Sequence, residues 1–459
     1  MSGSALRLVF YGDDFTGSTD ALEVLGSAGL KCALFLQVPD AATLARYPGL
    51  DALGIAGNSR TMSPAEMDAE LPATFAWIAR CGAPVVHYKV CSTFDSSPTT
   101  GSIGRVMEIA RPHFAGACVW IVAAAPNLAR YCVYGNLFAR SGTDGQIYRI
   151  DRHPIMSVHP VTPMNEADLA THLGRQSGLS IAKATLDDLR PGAEALAARV
   201  ATLHEAGAGA VLIDGLSAAD MHTIGQALIA AGEPSAPVLV VGGSGVEQAL
   251  TAAAAPGQAP AAAMDPLRPV EQVLALSGSA SALSAAQIDA AIGAGFFDLP
   301  LDAARLVDDS QWQAYAEQIT TQALEQLRRG RSVIMHSARG PDDPRVNAMF
   351  ERLRASGMAE PQRKHLGGRT LAERLGQLLR NVTQRISLQR IIISGGDTSS
   401  SIARALDIQA VEMAAKLAPG APLCRVLESR FVQDLEIAFK GGQMGGKNFF
   451  EEARRGAGA

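Results

Sequence analysis

No CxxC pair occurs among the six cysteines (Cys32, Cys81, Cys91, Cys118, Cys132 and Cys424), and none stands near a histidine pair at zinc-ligand spacing. Several lie inside apolar runs, where a buried, reduced thiol is the expectation. There is no basic excess: 40 Lys and Arg stand against 45 Asp and Glu, a net charge of -5. That balance gives no field to hold nucleic acid or an anionic membrane, so any phosphate must be held by local loops. No apolar run reaches membrane-spanning length, and the start, MSGSALRLVFYGDD, lacks the basic and apolar regions of a signal peptide. A cytoplasmic protein is expected. No GxxxxGK[ST] P-loop is present, and no GxGxxG opens a helix after the first strand.

What is present is a long alternation of short apolar runs and helical stretches. With 459 residues, 47% of them hydrophobic, the chain is globular and too long for one core. The expected fold class is α/β, with two domains, each built on a largely parallel or mixed sheet flanked by helices, and a cleft between them. The clearest linker lies in the alanine- and proline-rich segment Ala252 to Pro269. The expected division is a substrate domain over 1-254, a linker over 255-270 and a nucleotide domain over 271-459. Shorter segments are also read: a hairpin over Gly145 to Asp151 and helices over Asn165 to Leu173 and Gly367 to Ile386. Four histidines between 113 and 172 match no metal spacing and read as loop or surface residues.

The organising stretch is Arg390 to Leu406. Ile391 to Ile393 form a buried strand, and Ser394-Gly395-Gly396-Asp397-Thr398 turns the chain. Ser399 to Ser401 offer hydroxyl caps to the following helix. Two glycines admit a ligand to the backbone, and a helix N-terminus presents free N–H groups, so the turn suits a phosphate. Two more turns of this type are Ser277-Gly278-Ser279-Ala280-Ser281 and Lys440-Gly441-Gly442-Gln443-Met444-Gly445-Gly446.

The first half carries different chemistry. Asp13 and Asp14 follow the first strand, where an open parallel sheet collects ligands. One is expected to cap the next helix, while the other accepts bonds from a polyol, holds Mg²⁺ through water or acts as a base. Arg60 lies just past another strand, where a guanidinium grips a carboxylate. Lys89 stands at the mouth of the hydroxyl-rich loop Cys91-Ser92-Thr93-Phe94-Asp95-Ser96. Such a cluster suits a sugar-like acid.

Together these residues resemble the four-carbon acid sugar kinase family over nearly the whole chain. Gly12-Asp13-Asp14-Phe15-Thr16-Gly17 is similar to its N-terminal signature, and the three small-residue turns are similar to its nucleotide elements. The resemblance implies substrate contacts at Asp13, Asp14, Arg60 and Lys89-Val90-Cys91-Ser92. It implies ATP contacts at one of Ser277, Ser279 or Ser281, at Gly395, Gly396, Asp397 and Thr398, and at Gly441 or Gly442. Cys91-Ser92-Thr93-Phe94-Asp95-Ser96 and His159 to Met164 look like the 3-oxo-tetronate kinase branch, which implies phosphorylation of a 3-oxo acid. D-threonate, D-erythronate and a branched 3-oxo acid are the alternatives. Ala125 to Met156 fits that branch less well and bears on the substrate.

Phosphoryl transfer needs positioning and charge stabilisation. ATP and Mg²⁺ are the expected cofactors, with Asp397 as the metal ligand and Asp14, Asp13 or Asp397 as the base. The expected partners are a small sugar acid and ATP, with no nucleic acid or membrane, and a homodimer is compatible with the sequence. The rivals are a dinucleotide-dependent oxidoreductase and a non-catalytic sugar-acid binding protein.

Overall fold

The computed structural model describes residues 6–142, 144–159, 161–254, 267–355 and 360–456, without the side chains of 360–365 and 397. The chain forms two compact units, Met1–Ala262 and Ala263–Ala459.

In the first unit the strands are β1 (Leu8–Gly12), β2 (Cys32–Phe35), β3 (Ala52–Ala56), β4 (Val85–Lys89) and β5 (Val119–Val122). They continue with β6 (Arg130–Val133), β7 (Asn136–Arg140), β8 (Ile147–Arg149), β9 (Ile181–Ala184), β10 (Ala210–Ile213) and β11 (Val238–Gly242). A parallel sheet runs in the order β2-β3-β1-β4-β11-β5-β10-β9. Its central strands are continuous apolar runs such as VWIV and VLVVG, buried along their whole length, as a sheet covered on both faces requires. The strand order reverses at β1, which makes its carboxyl end a topological switch point. Register places Gly12 beside Ala56 and Lys89 there. Strands β6, β7 and β8 form a separate antiparallel sheet. The span Gly145 to Asp151, read as a hairpin, supplies only β8 and a 3-10 turn; the strand that β8 pairs with, β7, lies before that span. The helix read over Asn165 to Leu173 starts at Leu169, where the Asp168 carboxylate caps it.

The second unit contains β12 (Leu274–Ser277), β13 (Phe297–Pro300), β14 (Val333–His336), β15 (Arg390–Ser394), β16 (Ile408–Ala418), β17 (Ala421–Ser429) and β18 (Glu436–Lys440). The order is β13-β14-β12-β15-β18-β17-β16. All pairs from β13 to β18 are parallel, and the β16–β17 hairpin joins β18 antiparallel. Register aligns Ser277, Ser394 and Lys440 across adjacent strands. Val273, Ala275, Ile334, Ile392 and Ala438 pack with Phe449 and Phe450 in the core. Arg390 is fully buried and anchors the last helix, Phe449–Arg455. Its guanidinium binds Glu436 at 2.6 Å and the Ala453 and Arg268 carbonyls.

Residues 255–266 of the expected linker lie outside the described residues. Its last residues are packed: Val270 is buried and donates its N–H to the Arg454 carbonyl at 2.9 Å. The helix read over Gly367 to Ile386 runs over Glu360–Thr383.

Candidate active site

Asp14 is the helix cap. Its backbone is extended and its carboxylate accepts from the Gly17 N–H, opening the helix Phe15–Ser27. The other carboxylate oxygen accepts from Arg60 Nη1 at 3.1 Å. Asp13 is placed differently. Its N–H donates to the Lys89 carbonyl at 2.8 Å, and its carbonyl accepts from the Arg60 N–H at 3.1 Å. These bonds fix the turn and bury the side chain to 4% exposure. Its Oδ1 has no hydrogen-bond partner among the described residues. Burial, followed by the charge of Asp14, pushes the Asp13 carboxyl up to about 7, against the opposing pull of Arg60 and Lys89.

Arg60 joins two strand ends. Its Nη2 donates to Asp95 Oδ2 at 2.8 Å. The Asp95 side chain is fully buried and also accepts from Thr93 Oγ1 at 2.5 Å and Thr162 Oγ1 at 3.2 Å. Burial opposes its charge, but the Arg60 guanidinium and the Thr93 hydroxyl outweigh burial and hold the carboxyl below its ordinary range. Thr162 N–H donates to His159 Nδ1 at 3.1 Å, which ties the His159–Thr162 segment to the same cluster. Phe94, just before Asp95, holds a φ of 53°, a left-handed conformation that a non-glycine residue adopts only under strong constraint.

Lys89 is 2% exposed, donates to the Val90 carbonyl at 3.1 Å and lies 3.8 Å from Asp20. Burial disfavours its charge, but Asp20, Asp13 and Glu247 outweigh burial, so it stays an ammonium. A Cβ on Gly17 would sit 2.7 Å from Asp14 Oδ1, 3.1 Å from Lys89 Nζ and 3.6 Å from Asp13 Oδ1. Two carboxylates and one ammonium thus ring a single α-carbon.

Of the expected substrate residues, Asp13, Asp14, Arg60 and Lys89 converge here. Val90 is fully buried, so only its backbone is available, and its N–H donates to the Gly242 carbonyl. The Cys91 thiol lies 3.0 Å from Thr93 Oγ1 and is pushed up by burial. Ser92 packs against Gly243, whose Cβ would meet Ser92 Cα at 3.1 Å. Of the four histidines read as loop or surface residues, two are buried: His153 within a loop and His172 within the helix Leu169–Gly174. His153 is 4% exposed, and His172 lies under the Asp95 loop, 3.0 Å from Ser96 Oγ. The sequence reading also missed a buried pair, His87 Nδ1 to Glu247 Oε1 at 2.6 Å. His87 Nε2 reaches the Gly242 carbonyl at 3.1 Å. A histidine inside an otherwise apolar strand was the available signal.

In the second unit, the three small-residue turns meet at the carboxyl ends of β12, β15 and β18. Gly278 N–H donates to the Ser394 carbonyl and Gly395 N–H to the Lys440 carbonyl, both at 2.9 Å. The glycines are required by crowding. A Cβ on Gly278 would meet Thr398 Oγ1 at 2.1 Å, and one on Gly442 would meet Ser279 Oγ at 2.3 Å. Gly395 has a φ of +126°. Ser281 caps the helix Ala282–Gly293 and also donates to the Gly442 carbonyl at 2.6 Å. Ser279 Oγ accepts from the Ser281 N–H. Ser277 Oγ is fully buried and has no partner among the described residues. Gln287 Nε2 holds the Met444 and Gly446 carbonyls at 3.0 and 2.9 Å. Gly441 lies in the same loop, half-buried.

The helix after β15 starts at Gly396 with no side-chain cap. Ser399 and Ser400 lie inside it and bond back to the Gly395 and Gly396 carbonyls, which corrects their reading as caps. The first N–H groups of that helix have no partner within the helix itself. The side chain of Asp397 lies outside the described residues. Among the described residues, no group of three His, Cys, Asp or Glu side chains is arranged to hold a metal ion. The partnerless Ser277 hydroxyl and the glycine-lined turns fit a nucleotide phosphate chain.

Two units, one with a carboxylate–ammonium cluster and the other with convergent phosphate-type turns, define a protein that handles a small polar acid and a nucleotide. Residues 8–250 match the model of a sugar-binding N-terminal domain, and residues 274–450 match that of a nucleotide-binding C-terminal domain. The chain belongs to the four-carbon acid sugar kinase family. A 3-oxo-isoapionate kinase from Paraburkholderia graminis is 43% identical over 457 residues, covering 99% of this chain and 95% of the relative. A 3-oxo-tetronate kinase from Pseudomonas fluorescens is 30% identical, covering 96% and 95%. A D-threonate kinase from Salmonella typhimurium is 28% identical and covers 96% of each chain. The fold recurs in two crystal structures. One, of a Salmonella typhimurium LT2 protein, has a TM-score of 0.76 at 23% identity, covering 98% of this chain and 99% of the other. The other, of a Haemophilus influenzae protein, has a TM-score of 0.73 at 22% identity, covering 97% and 99%.

Proposed function

We propose that this protein is a kinase that transfers the γ-phosphoryl group of ATP to a hydroxyl of a 3-oxo sugar acid. The 3-oxo acids named for the relatives support that class. The first unit takes the acid and the second takes ATP, with the division near 1-254 and 271-459. The observation that carries the reading is the cluster around Gly17, where a buried carboxylate oxygen with no partner among the described residues lies near a buried ammonium.

In this reading Lys89 and the remaining N–H groups of Arg60 hold the substrate carboxylate. Asp14 is engaged as helix cap and Arg60 anchor, so Asp13 is the base. The acceptor hydroxyl gives its proton to Asp13, its oxygen bonds to the γ-phosphorus, and the bond from that phosphorus to the β-phosphate oxygen breaks, leaving ADP. Bound Mg²⁺ and ATP supply the phosphoryl group and divalent charge on the phosphates. Asp397 is proposed as the metal ligand, with Gly395, Gly396, Thr398, Gly441, Gly442 and Ser277 around the nucleotide.

No helix among the described residues is long and apolar enough to cross a membrane. A cytoplasmic site, with its ATP supply, suits the reaction. The reading is tested by incubating the protein with Mg-ATP and each 3-oxo acid and weighing the products by mass spectrometry. A phosphorylated acid formed together with ADP is expected. ADP release equal with and without acid would contradict the reading.

A further inference from the structure

Lys440 ends β18, and its side chain is 0% exposed. The chain has seven lysines, and two of them, Lys89 and Lys440, are buried at strand ends. Their surroundings differ. Lys89 lies among Asp20, Asp13 and Glu247. Lys440 Nζ donates to Ser394 Oγ at 2.8 Å and lies 5.8 Å from the centre of the Phe449 ring. Among the described residues, no carboxylate pairs with it. Burial alone pushes its amine down to about 8.

A buried ammonium held by one hydroxyl is expensive, because desolvation is not offset by an opposite charge. The neighbouring groups do not supply one. Ser284 Oγ lies 3.4 Å from Ser394 Oγ, and Ser284 and Ser281 both point their hydroxyls at the Gly442 carbonyl. The parallel register puts Ser277, Ser394 and Lys440 side by side, and residues paired in this way share one face of the sheet. Ser277 Oγ in the same row is buried and has no partner among the described residues. Among the described residues, the row holds no anion.

We propose that Lys440 is the cation that neutralises the nucleotide's phosphate chain, with Ser394 as its resting partner and the Ser277 hydroxyl as a further donor to the same chain. This rests on the nucleotide reading of the second unit and extends it from the glycine backbones to the side chain of Lys440. The ammonium is fully buried at the start of the Lys440–Gly446 loop, whose carbonyls accept side-chain bonds from Ser281, Ser284 and Gln287. Phosphate contact therefore requires that loop to shift.

The test uses the full chain labelled with ¹³C at lysine Cε, titrated by NMR with and without saturating ADP, together with ADP affinities of Lys440→Met and Lys440→Arg. The expected result is a Lys440 signal with a midpoint near 8 in the free protein that moves upward by at least one pH unit with ADP. Lys440→Met should weaken ADP by roughly 30-fold or more. Lys440→Arg should recover part of the loss, and the affinity for the acid should not change. An unmoved Lys440 midpoint in wild-type protein saturated with ADP would overturn the proposal even if both variants fail to fold. Lys440→Met binding ADP within about threefold of wild type would overturn it as well. Failure of the wild type itself to bind ADP would overturn the nucleotide reading, and the proposal with it.

Discussion

Arg60 holds Asp95 at 2.8 Å across 35 residues of sequence, and its other terminal nitrogen holds Asp14. One guanidinium therefore ties the turn after β1 and the loop after β4 to its own segment after β3. Substitution of Arg60 by Ala should raise KM for the acid by at least about tenfold. Lys at this position should not restore it, because an ammonium cannot span two carboxylates in a fixed fork. Steady-state kinetics at saturating ATP check this, and an unchanged KM for the acid would remove Arg60 from the site.

Asp13 governs a pH prediction. With its carboxyl pushed up to about 7, activity that needs the carboxylate should rise with pH and level off above about 7. Asp13→Asn should lower kcat by roughly 10²- to 10⁴-fold and abolish that acid limb. The same group acts on stability with the opposite sign. Its folded value lies above its ordinary value near 3.9, so its contribution to stability is lost as pH rises from about 4 through 7. Thermal melts of the two proteins across this range should show a smaller decline for Asp13→Asn. Asp14→Asn should behave differently, keeping a capping side chain but losing the charge that Arg60 holds.

Gly278 is predicted to tolerate no side chain. A Cβ there would lie 2.1 Å from Thr398 Oγ1. Gly278→Ala should raise KM for ATP by at least about tenfold while leaving KM for the acid unchanged. Adding Thr398→Ser does not remove the clashing hydroxyl and should not rescue, whereas Thr398→Gly removes it and should rescue in part.

The His87–Glu247 pair is fully buried, and its two partners lie 160 residues apart. Removing one partner leaves the other's buried polar group without its bond, so His87→Leu or Glu247→Leu should each cost about 1–3 kcal/mol of stability. The double variant should cost much less than the sum. Denaturant melts of the four proteins form the cycle, and additive losses would show that the pair is not coupled.

The parts legible in the sequence are those that local chemistry dictates. Asp13 and Asp14 follow an apolar strand and open a helix, so their place at a strand end is readable, as are the three glycine turns. Arg60 and Lys89 are readable for the same reason. Asp95, Thr162 and Glu247 are not, because each acts through a partner at least 35 residues away. β16 escaped because Gln409, Glu412 and Lys416 interrupt its apolar residues, and its register is irregular. The buried state of His172 follows from its contact with Ser96, 76 residues distant, which no local spacing reports.

Phosphoryl transfer from ATP to a 3-oxo sugar acid is the reaction proposed for this protein. The most direct measurement is a coupled ADP-release assay with Mg-ATP over a panel of 3-oxo-tetronates, a branched 3-oxo acid such as 3-oxo-isoapionate, D-threonate and D-erythronate. The prediction is acid-dependent turnover with at least one 3-oxo acid and weaker turnover with the acids that lack the ketone. Absence of acid-dependent turnover across the panel, with no ATP binding by thermal shift, would contradict the account.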